Sequence, residues 1–291
     1  MELRTIGLMS PGDMGQAIAG QLKAKGFNVL TALGARSART QGLARAAGLT
    51  DVGTLEALTQ QCDLVISVMN PGSAVGFARE LAAAMQKTGK HPVLLEGNAV
   101  SPDTVRQIEK ILAAAGGRVM DGGIIGPPPR NAGKIRLYVS GPGASALEAL
   151  GTDAISVRVV SERIGDASAV KMCYGAVTKG ILGLGLQLFM AAERLGVAEP
   201  LMAEVKASRK DIHDFVMNGL PVMPPKAYRW VPEMNEIAAT FAAAGLTPKM
   251  LEGASALYAF VAETPLGKET PENRDKSRTG VDVVKQLAAE R

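Results

Sequence analysis

IGLMSPGDMG, residues 6–15, ends a short apolar run in a glycine-punctuated turn, and the reading of that turn decides the fold. The spacing is that of a phosphate-binding G-x-G-x-x-G turn, with Ser10 at the first glycine position and Gly12 and Gly15 at the other two. Those positions do different work. The first permits the tight turn, the second lets a pyrophosphate approach the backbone, and the third lets the following helix pack on the strand. Ser10 is small and needs only an allowed backbone conformation, so the cradle survives its presence. Amides at the start of the helix opening near Gly12 would hold the anion, aided by the helix dipole. Ser10, Pro11, Gly12, Asp13, Met14 and Gly15 are accordingly expected to bind a dinucleotide.

The surrounding pattern carries the reading outward. Residues 3–9 read as a strand and 14–25 as a helix, then 27–33 as a strand and the alanine-rich 38–47 as a helix, a βαβ unit. Strands over 64–69, 93–96, 118–121 and 137–140 alternate with helices over 74–86 and 103–115. Such alternation implies a mostly parallel, doubly wound sheet covered on both faces. After a strand over 157–160 the pattern changes. Residues 167–195 read as nearly uninterrupted helix, and helices over 199–218, 230–244 and 249–263 follow, separated by Pro/Gly loops such as GLPVMPP and GLTP. The fold class is thus an α/β Rossmann domain over 1–162, followed by an all-α domain over 163–291 that begins with an interdomain helix over 166–195. The polar stretch GKETPENRDKSR precedes a short terminal helix.

Bulk properties exclude several function classes. With 291 residues, 47% apolar and 21% charged, the chain suits about two globular domains. A net charge of +4 without a basic stripe, and 4% aromatics, argue against nucleic acid. The longest apolar run, GILGLGLQLFMAA over 180–192, is shorter than the roughly 20 residues that cross a bilayer and reads as a buried helix, so no membrane is expected. The start, MELRTIGLMS, lacks the build of a signal peptide, and Cys62 and Cys173 lack CxxC spacing. A cytoplasmic protein with reduced thiols is expected. His91 and His213 have no partners at ligand spacing, so no metal is expected, and Gly133-Lys134 and Gly267-Lys268 lack the rest of a Walker pattern.

The second strand bears on the cofactor. An NAD site carries an acidic residue at the end of that strand for the ribose hydroxyls. Residues 27–33 contain none, and Gly34-Ala35-Arg36-Ser37-Ala38-Arg39-Thr40 follow. Arg36 can pair with a 2′-phosphate while Ser37, Arg39 or Thr40 donate further bonds. NADP (NADPH) is expected and NAD is disfavoured, against the alternative of a solvated basic turn at a helix start. Met69 and Asn70, at the end of the 64–69 strand, complete the expected cofactor set.

In order along the chain, IGLMSPGDMG resembles the IGFIGLGxMG turn of the β-hydroxyacid dehydrogenases related to 6-phosphogluconate dehydrogenase, and EGNAVSP (96–102) resembles their D-x-S/N-x-x-S-P strand end. DGGIIGPP (121–128) resembles their substrate loop D-A-P-V-S-G-G, and GDASAVKMCYG (165–175) their catalytic helix G-x-G-x-x-x-K-x-x-N-N. The resemblance runs to about residue 195. The helical remainder looks like a variant branch with a C-terminal domain of unassigned function, in which the family's Lys-Asp helix start is not recognisable. It implies NAD(P)-linked oxidation of a 3-hydroxy acid or reduction of the carbonyl compound, in a cleft between domains, in a homodimer formed through the helical domain.

On that resemblance Lys171 is the general acid/base, giving a proton to the carbonyl oxygen as hydride arrives. Tyr174 lies three residues on and replaces the family's Asn. It either orients the substrate or Lys171, or serves as a core tyrosine. Asn98 stands where the family has Ser or Asn near substrate and nicotinamide. Ile125 replaces the family's loop Ser, Gly126 keeps one amide, and Pro127, Pro128 and Pro129 supply none, which puts carboxylate recognition in doubt and points to a larger or more apolar small-molecule substrate. Two other readings remain: an imine reductase, which usually replaces the lysine, and a non-catalytic NADP-binding sensor or scaffold.

Overall fold

Strands that are apolar along their whole length can be covered only from both sides. In a computed structural model, which describes residues 3–34 and 36–290, this is the arrangement around β4 (Leu64–Ser67) and β5 (Val93–Glu96), every residue of which is buried. Their side chains alternate between two cores, as a pleated strand requires. Ile66 and Leu95 join one apolar cluster with Ile6 and Leu22, whereas Val65 and Leu94 join another with Phe77 and Ile108.

The first of two compact units, Met1–Met172, contains the whole sheet. Its strands β1 (Thr5–Met9), β2 (Asn28–Thr31), β3 (Thr50–Asp51), β4, β5, β6 (Val119–Ile125), β7 (Ile135–Ser140) and β8 (Ile155–Ser161) stand in the order β3-β2-β1-β4-β5-β6-β7-β8. All neighbours are parallel except β6 and β7. Helices α1 (Asp13–Ala24), α2 (Ala38–Ala46), α3 (Leu55–Gln61), α4 (Ala74–Thr88) and α5 (Pro102–Ala113) connect them. The strand β3 and the helix α3 have no counterpart in the sequence reading. Two and seven residues are too few for periodicity to register, although Thr54 caps α3 by accepting a hydrogen bond from the Ala57 amide.

Helix α6 (Asp166–Gly175) begins in this unit, and the division between units falls within it. Its first turn is fastened to the sheet. The Asp121 carboxylate on β6 accepts from the amides of Gly165 and Ser168 and from the Ser140 and Ser168 hydroxyls, and the Ala167 amide donates to the Ser140 hydroxyl. Bare backbone makes the close approach possible. A Cβ on Gly123 would lie 2.7 Å from the Ala167 carbonyl oxygen and 3.0 Å from the Lys171 Cβ.

The second unit, Cys173–Arg291, is helical. A π-turn over Ala176–Gly180 leads into α7 (Ile181–Leu195), followed by α8 (Ala198–Ser208), α9 (Lys210–Gly219), α10 (Ala227–Ala243), α11 (Lys249–Glu263), α12 (Pro265–Lys268) and α13 (Gly280–Ala289). The single helix expected over 199–218 is two, because Arg209 leaves helical geometry at φ −139° and ψ 55°. The expected buried helix is buried on one face only: Leu182, Leu186 and Phe189 pack inward, while Leu184 is 69% and Leu195 75% exposed. By length and composition alone Asp166–Leu195 could cross a membrane, but the inward face of α7 packs on α9, α11 and α13. At the centre of this unit the Tyr258 hydroxyl donates to the Lys179 carbonyl oxygen at 2.6 Å, Lys179 pairs with Glu233 at 2.7 Å, and its ammonium lies 5.4 Å from the Trp230 ring centre. Trp230 meets Tyr258 edge to face at 5.2 Å.

Gly123→Ala should lower the unfolding free energy by about 1–3 kcal/mol, since the added methyl meets helix backbone that cannot yield locally. Urea denaturation beside Gly12→Ala, where a Cβ would meet nothing within 4 Å, checks it. Equal midpoints for the two variants would contradict the packing argument.

Candidate active site

The turn after β1 has the shape the glycine spacing requires. Gly15 closes it: a Cβ there would lie 2.3 Å from the Ser10 carbonyl oxygen and 3.1 Å from Leu8, so only glycine lets α1 sit on the turn. Gly12 does the opposite and faces open space. Ser10 is anchored by its amide, which donates to the Val68 carbonyl oxygen at 3.2 Å, and its own carbonyl accepts from Gly12 at 2.8 Å. No side chain caps α1 at Gly12, so the helix start is uncapped where an anion would lie. These residues fit a dinucleotide pyrophosphate, with Pro11 buried beneath them and Asp13 and Met14 opening α1.

At the end of β2 the chain turns through Gly34 to Arg36, whose amide donates to the Leu33 carbonyl oxygen at 2.7 Å. Arg36 lines a cavity of about 610 Å³ together with Gly34, Thr54, Glu56, Glu80 and Lys87. Glu56 is paired with Lys87 at 3.0 Å, and that ammonium holds its carboxyl below the ordinary range. The sequence reading passed over Asp51, the acid nearest the end of β2 through strand pairing. Its Oδ1 accepts from the Leu33 and Gly53 amides at 3.0 and 2.9 Å. Ser37 is spent in part as the cap of α2, accepting from the Thr40 amide.

The ends of β4 and β5, with Asp121 inside β6, hold a buried polar seam. Asn98, 3% exposed, donates to the Ser67 hydroxyl at 2.8 Å and accepts from the Met69 amide, so its carboxamide braces the end of β4. Its own amide donates to Glu96 Oε1 at 2.9 Å. Asn70 caps the short turn Pro71–Ser73 by accepting from Gly72. Glu96 is fully buried and its Oε2 has no partner. Burial, helped by the charge of Asp121 on the neighbouring strand, pushes its carboxyl up to about 8, so at neutral pH it is a neutral acid. Burial also raises Asp121 above the ordinary carboxylate range, and the hydrogen bonds from Ser168, Ser140 and Gly165 offset only part of that rise.

Lys171 stands partly buried on α6 with its Cβ against Gly123, two residues before Ile125 on β6. Ile125 is 3% exposed. Gly126 takes φ +128°, and a Cβ there would sit 2.4 Å from the Lys134 carbonyl oxygen. Pro127, Pro128 and Pro129 then lead to Arg130, which pairs with Asp13 at the start of α1. In the helical unit Tyr174 is 43% exposed, and His213 lies 2.9 Å from Asp214. Burial pushes the Cys62 thiol up to about 12, which leaves it unreactive. Among the described residues no group of three or more His, Cys, Asp or Glu side chains could hold a metal. Sequence reasoning missed Glu96, Asp121 and Arg130 as working residues. A carboxylate in an otherwise apolar strand was the available signal for the first two.

Residues 5–151 match the family model of the NAD binding domain of 6-phosphogluconate dehydrogenase, and residues 192–261 match a domain of unknown function (DUF1932). An uncharacterized 28.5 kDa protein of Methanothermus fervidus is 28% identical over 68% of this chain and 74% of its own length. A conserved protein of unknown function, described as structurally similar to 3-hydroxyacid dehydrogenases, superposes with a TM-score of 0.65 at 27% identity, covering 89% of this chain and 97% of that one. The 3-hydroxyisobutyrate dehydrogenase of Salmonella typhimurium shares the fold, with a TM-score of 0.69 at 17% identity over 97% and 99% of the two chains.

Because Glu96 binds its proton more tightly folded than unfolded, stability should fall as pH rises from its ordinary value of 4.5 toward about 8, then level off. Glu96→Gln lacks this loss. Its stability relative to the native chain should therefore improve between pH 5.5 and 8, by of the order of 1 kcal/mol per pH unit at most. Chemical denaturation of both proteins at the two pH values reads the difference, and parallel curves would show that Glu96 is ionised when folded.

Proposed function

The chain belongs to the family of the NAD binding domain of 6-phosphogluconate dehydrogenase, and on that premise we propose that it is an NADP-dependent oxidoreductase acting on a 3-hydroxy acid or related carbonyl compound. The observation that carries the reading is Lys171, seated on the bare backbone of Gly123 by a helix whose first turn is tied to Asp121. A bound NADPH supplies the hydride. Lys171 donates a proton from Nζ to the carbonyl oxygen as negative charge develops there, and takes it back in the oxidation direction. Asp121 and Ser140 fix the start of the lysine's helix, so little ordering is left for the reaction itself. Retention of a lysine supports carbonyl rather than imine reduction.

Arg36 supports NADP over NAD, since it lines the cavity beside the end of β2. Ser10 to Gly15 would hold the pyrophosphate, with Met69 and Asn70 at the neighbouring strand end. For the substrate, Asn98, Ile125, Gly126 and Tyr174 remain the candidates. Ile125 and the three prolines offer few donors to a carboxylate, which favours a bulkier or more apolar carbonyl compound. A cytoplasmic setting agrees with the two free thiols. A homodimer is supported by one face of α7, where Ile181, Leu184, Leu188 and Leu195 recur at helical spacing and are all exposed. Such a stripe is expected to be covered by a second copy.

Initial rates with NADPH and NADH over a panel of keto acids, hydroxy acids, aryl ketones and imines test the activity. Turnover with NADPH on a carbonyl compound is expected, falling about 10²–10⁴-fold in Lys171→Ala with NADPH binding intact. Binding without turnover anywhere on the panel would favour a sensor or scaffold. Leu184→Asp should convert a dimer into a monomer by light scattering, and an unchanged mass would remove α7 as the interface.

A further inference from the structure

We propose that Arg130 is a phosphate ligand for the dinucleotide, delivered to the turn at Gly12 by the proline loop and oriented there by Asp13. The inference rests on the dinucleotide reading of that turn and adds to it a residue from a distant part of the chain.

Asp13 poses the problem. It is the first residue of the helix whose uncapped start would receive the pyrophosphate. A carboxylate in that position, taken alone, repels the phosphates and competes for the same amides. Arg130 answers it: its Nη2 donates to Asp13 Oδ1 across 117 residues of sequence. The guanidinium carries further N–H donors in a planar fork, and the side chain is 48% exposed, which leaves donors for a second ligand. A carboxylate on one edge of a guanidinium and a phosphate on the other is a stable arrangement, because each takes separate donors.

The loop that carries Arg130 is built to hold it. Pro127, Pro128 and Pro129 fix three φ angles in succession. The Arg130 amide donates to the Pro128 carbonyl oxygen at 2.8 Å, and the Gly133 amide donates back to Arg130 at 2.9 Å. A Cβ on Gly133 would lie 2.2 Å from the Pro128 oxygen, so the loop closes only around a glycine. Gln21, two turns along α1 from the phosphate turn, donates from Nε2 to the Pro129 carbonyl oxygen at 3.1 Å. Loop and helix are thereby fastened at two points, Gln21 and Asp13. Arg130 is held at the helix start before any ligand arrives, which cuts the ordering that binding requires. Beside it the position above Gly12 is open.

The alternative role is neutralisation, with Arg130 cancelling the charge of Asp13 and touching no phosphate. Calorimetric titration of the full chain with NADP⁺, ADP-ribose and adenosine 2′-monophosphate separates the two. ADP-ribose keeps the pyrophosphate and the monophosphate lacks it. Arg130→Ala is expected to weaken NADP⁺ and ADP-ribose by about ten- to a hundredfold and to leave the monophosphate unchanged. Asp13→Asn should weaken NADP⁺ by less than Arg130→Ala, and Asp13→Asn/Arg130→Ala should bind better than Arg130→Ala, because the repulsion is gone, yet stay well short of native affinity. Arg130→Gln repeats the test if the alanine variant folds poorly. Native ADP-ribose affinity in Arg130→Ala or Arg130→Gln overturns the proposal while leaving the dinucleotide site standing. So does recovery of native affinity in the double variant, which would make Arg130 a neutraliser only. Failure of the native chain to bind either pyrophosphate ligand would overturn the site and the proposal together.

Discussion

The buried carboxylate of Asp121 is the interaction on which the candidate chemistry depends. A carboxyl group in an apolar sheet is costly unless its oxygens are saturated, and here two backbone amides and two hydroxyls saturate them. Three of those donors come from the first turn of α6 and the loop before it, so satisfying those oxygens also sets where the helix starts. Ser140 links the third party, since its hydroxyl donates to Asp121 and accepts from Ala167. Removal of any one donor would leave the others to compensate in a place that water does not reach.

Asp121 and Glu96 stand opposite one another on neighbouring strands and differ in how they are satisfied. Four donors converge on Asp121. Glu96 accepts from Asn98 but has one oxygen without a partner among the described residues, and burial raises both carboxyls. Two adjacent buried acids cannot both ionise cheaply. Asp121 organises the helix bearing Lys171, whereas Glu96 organises Asn98, whose carboxamide joins Ser67 and Met69.

The doubly wound half was legible in the sequence because its signals are local. Apolar runs such as LVIS and VLLE, the glycine pair in the first turn and the lysine in GDASAVKMCYG all lie within a few residues of what they determine. What escaped notice is of two kinds. Short elements such as β3 and α3 carry too few residues for a period, and the break at Arg209 is a backbone choice that no proline or glycine marks. The polar seam is the other kind. Asp121 meets Gly165 and Ser168 across 44 and 47 residues, and Arg130 meets Asp13 across 117, so those pairings exist only once the sheet has formed. The NADP reading needed an acid-free strand, and the acid that does lie nearby, Asp51, comes from the neighbouring strand, where its Oδ1 accepts from two backbone amides.

The chain has one tryptophan, and it lies in the helical unit, edge-on to Tyr258 and beneath the Lys179 ammonium that Glu233 holds. Indole emission is sensitive to a nearby charge and to a stacked ring, so the ultraviolet fluorescence of the whole protein reports on the packing of four side chains. The sheet contributes no tryptophan signal of its own. Spectroscopically the molecule is half labelled by nature: loosening of the helical unit has a colour, and loosening of the sheet is silent at that wavelength.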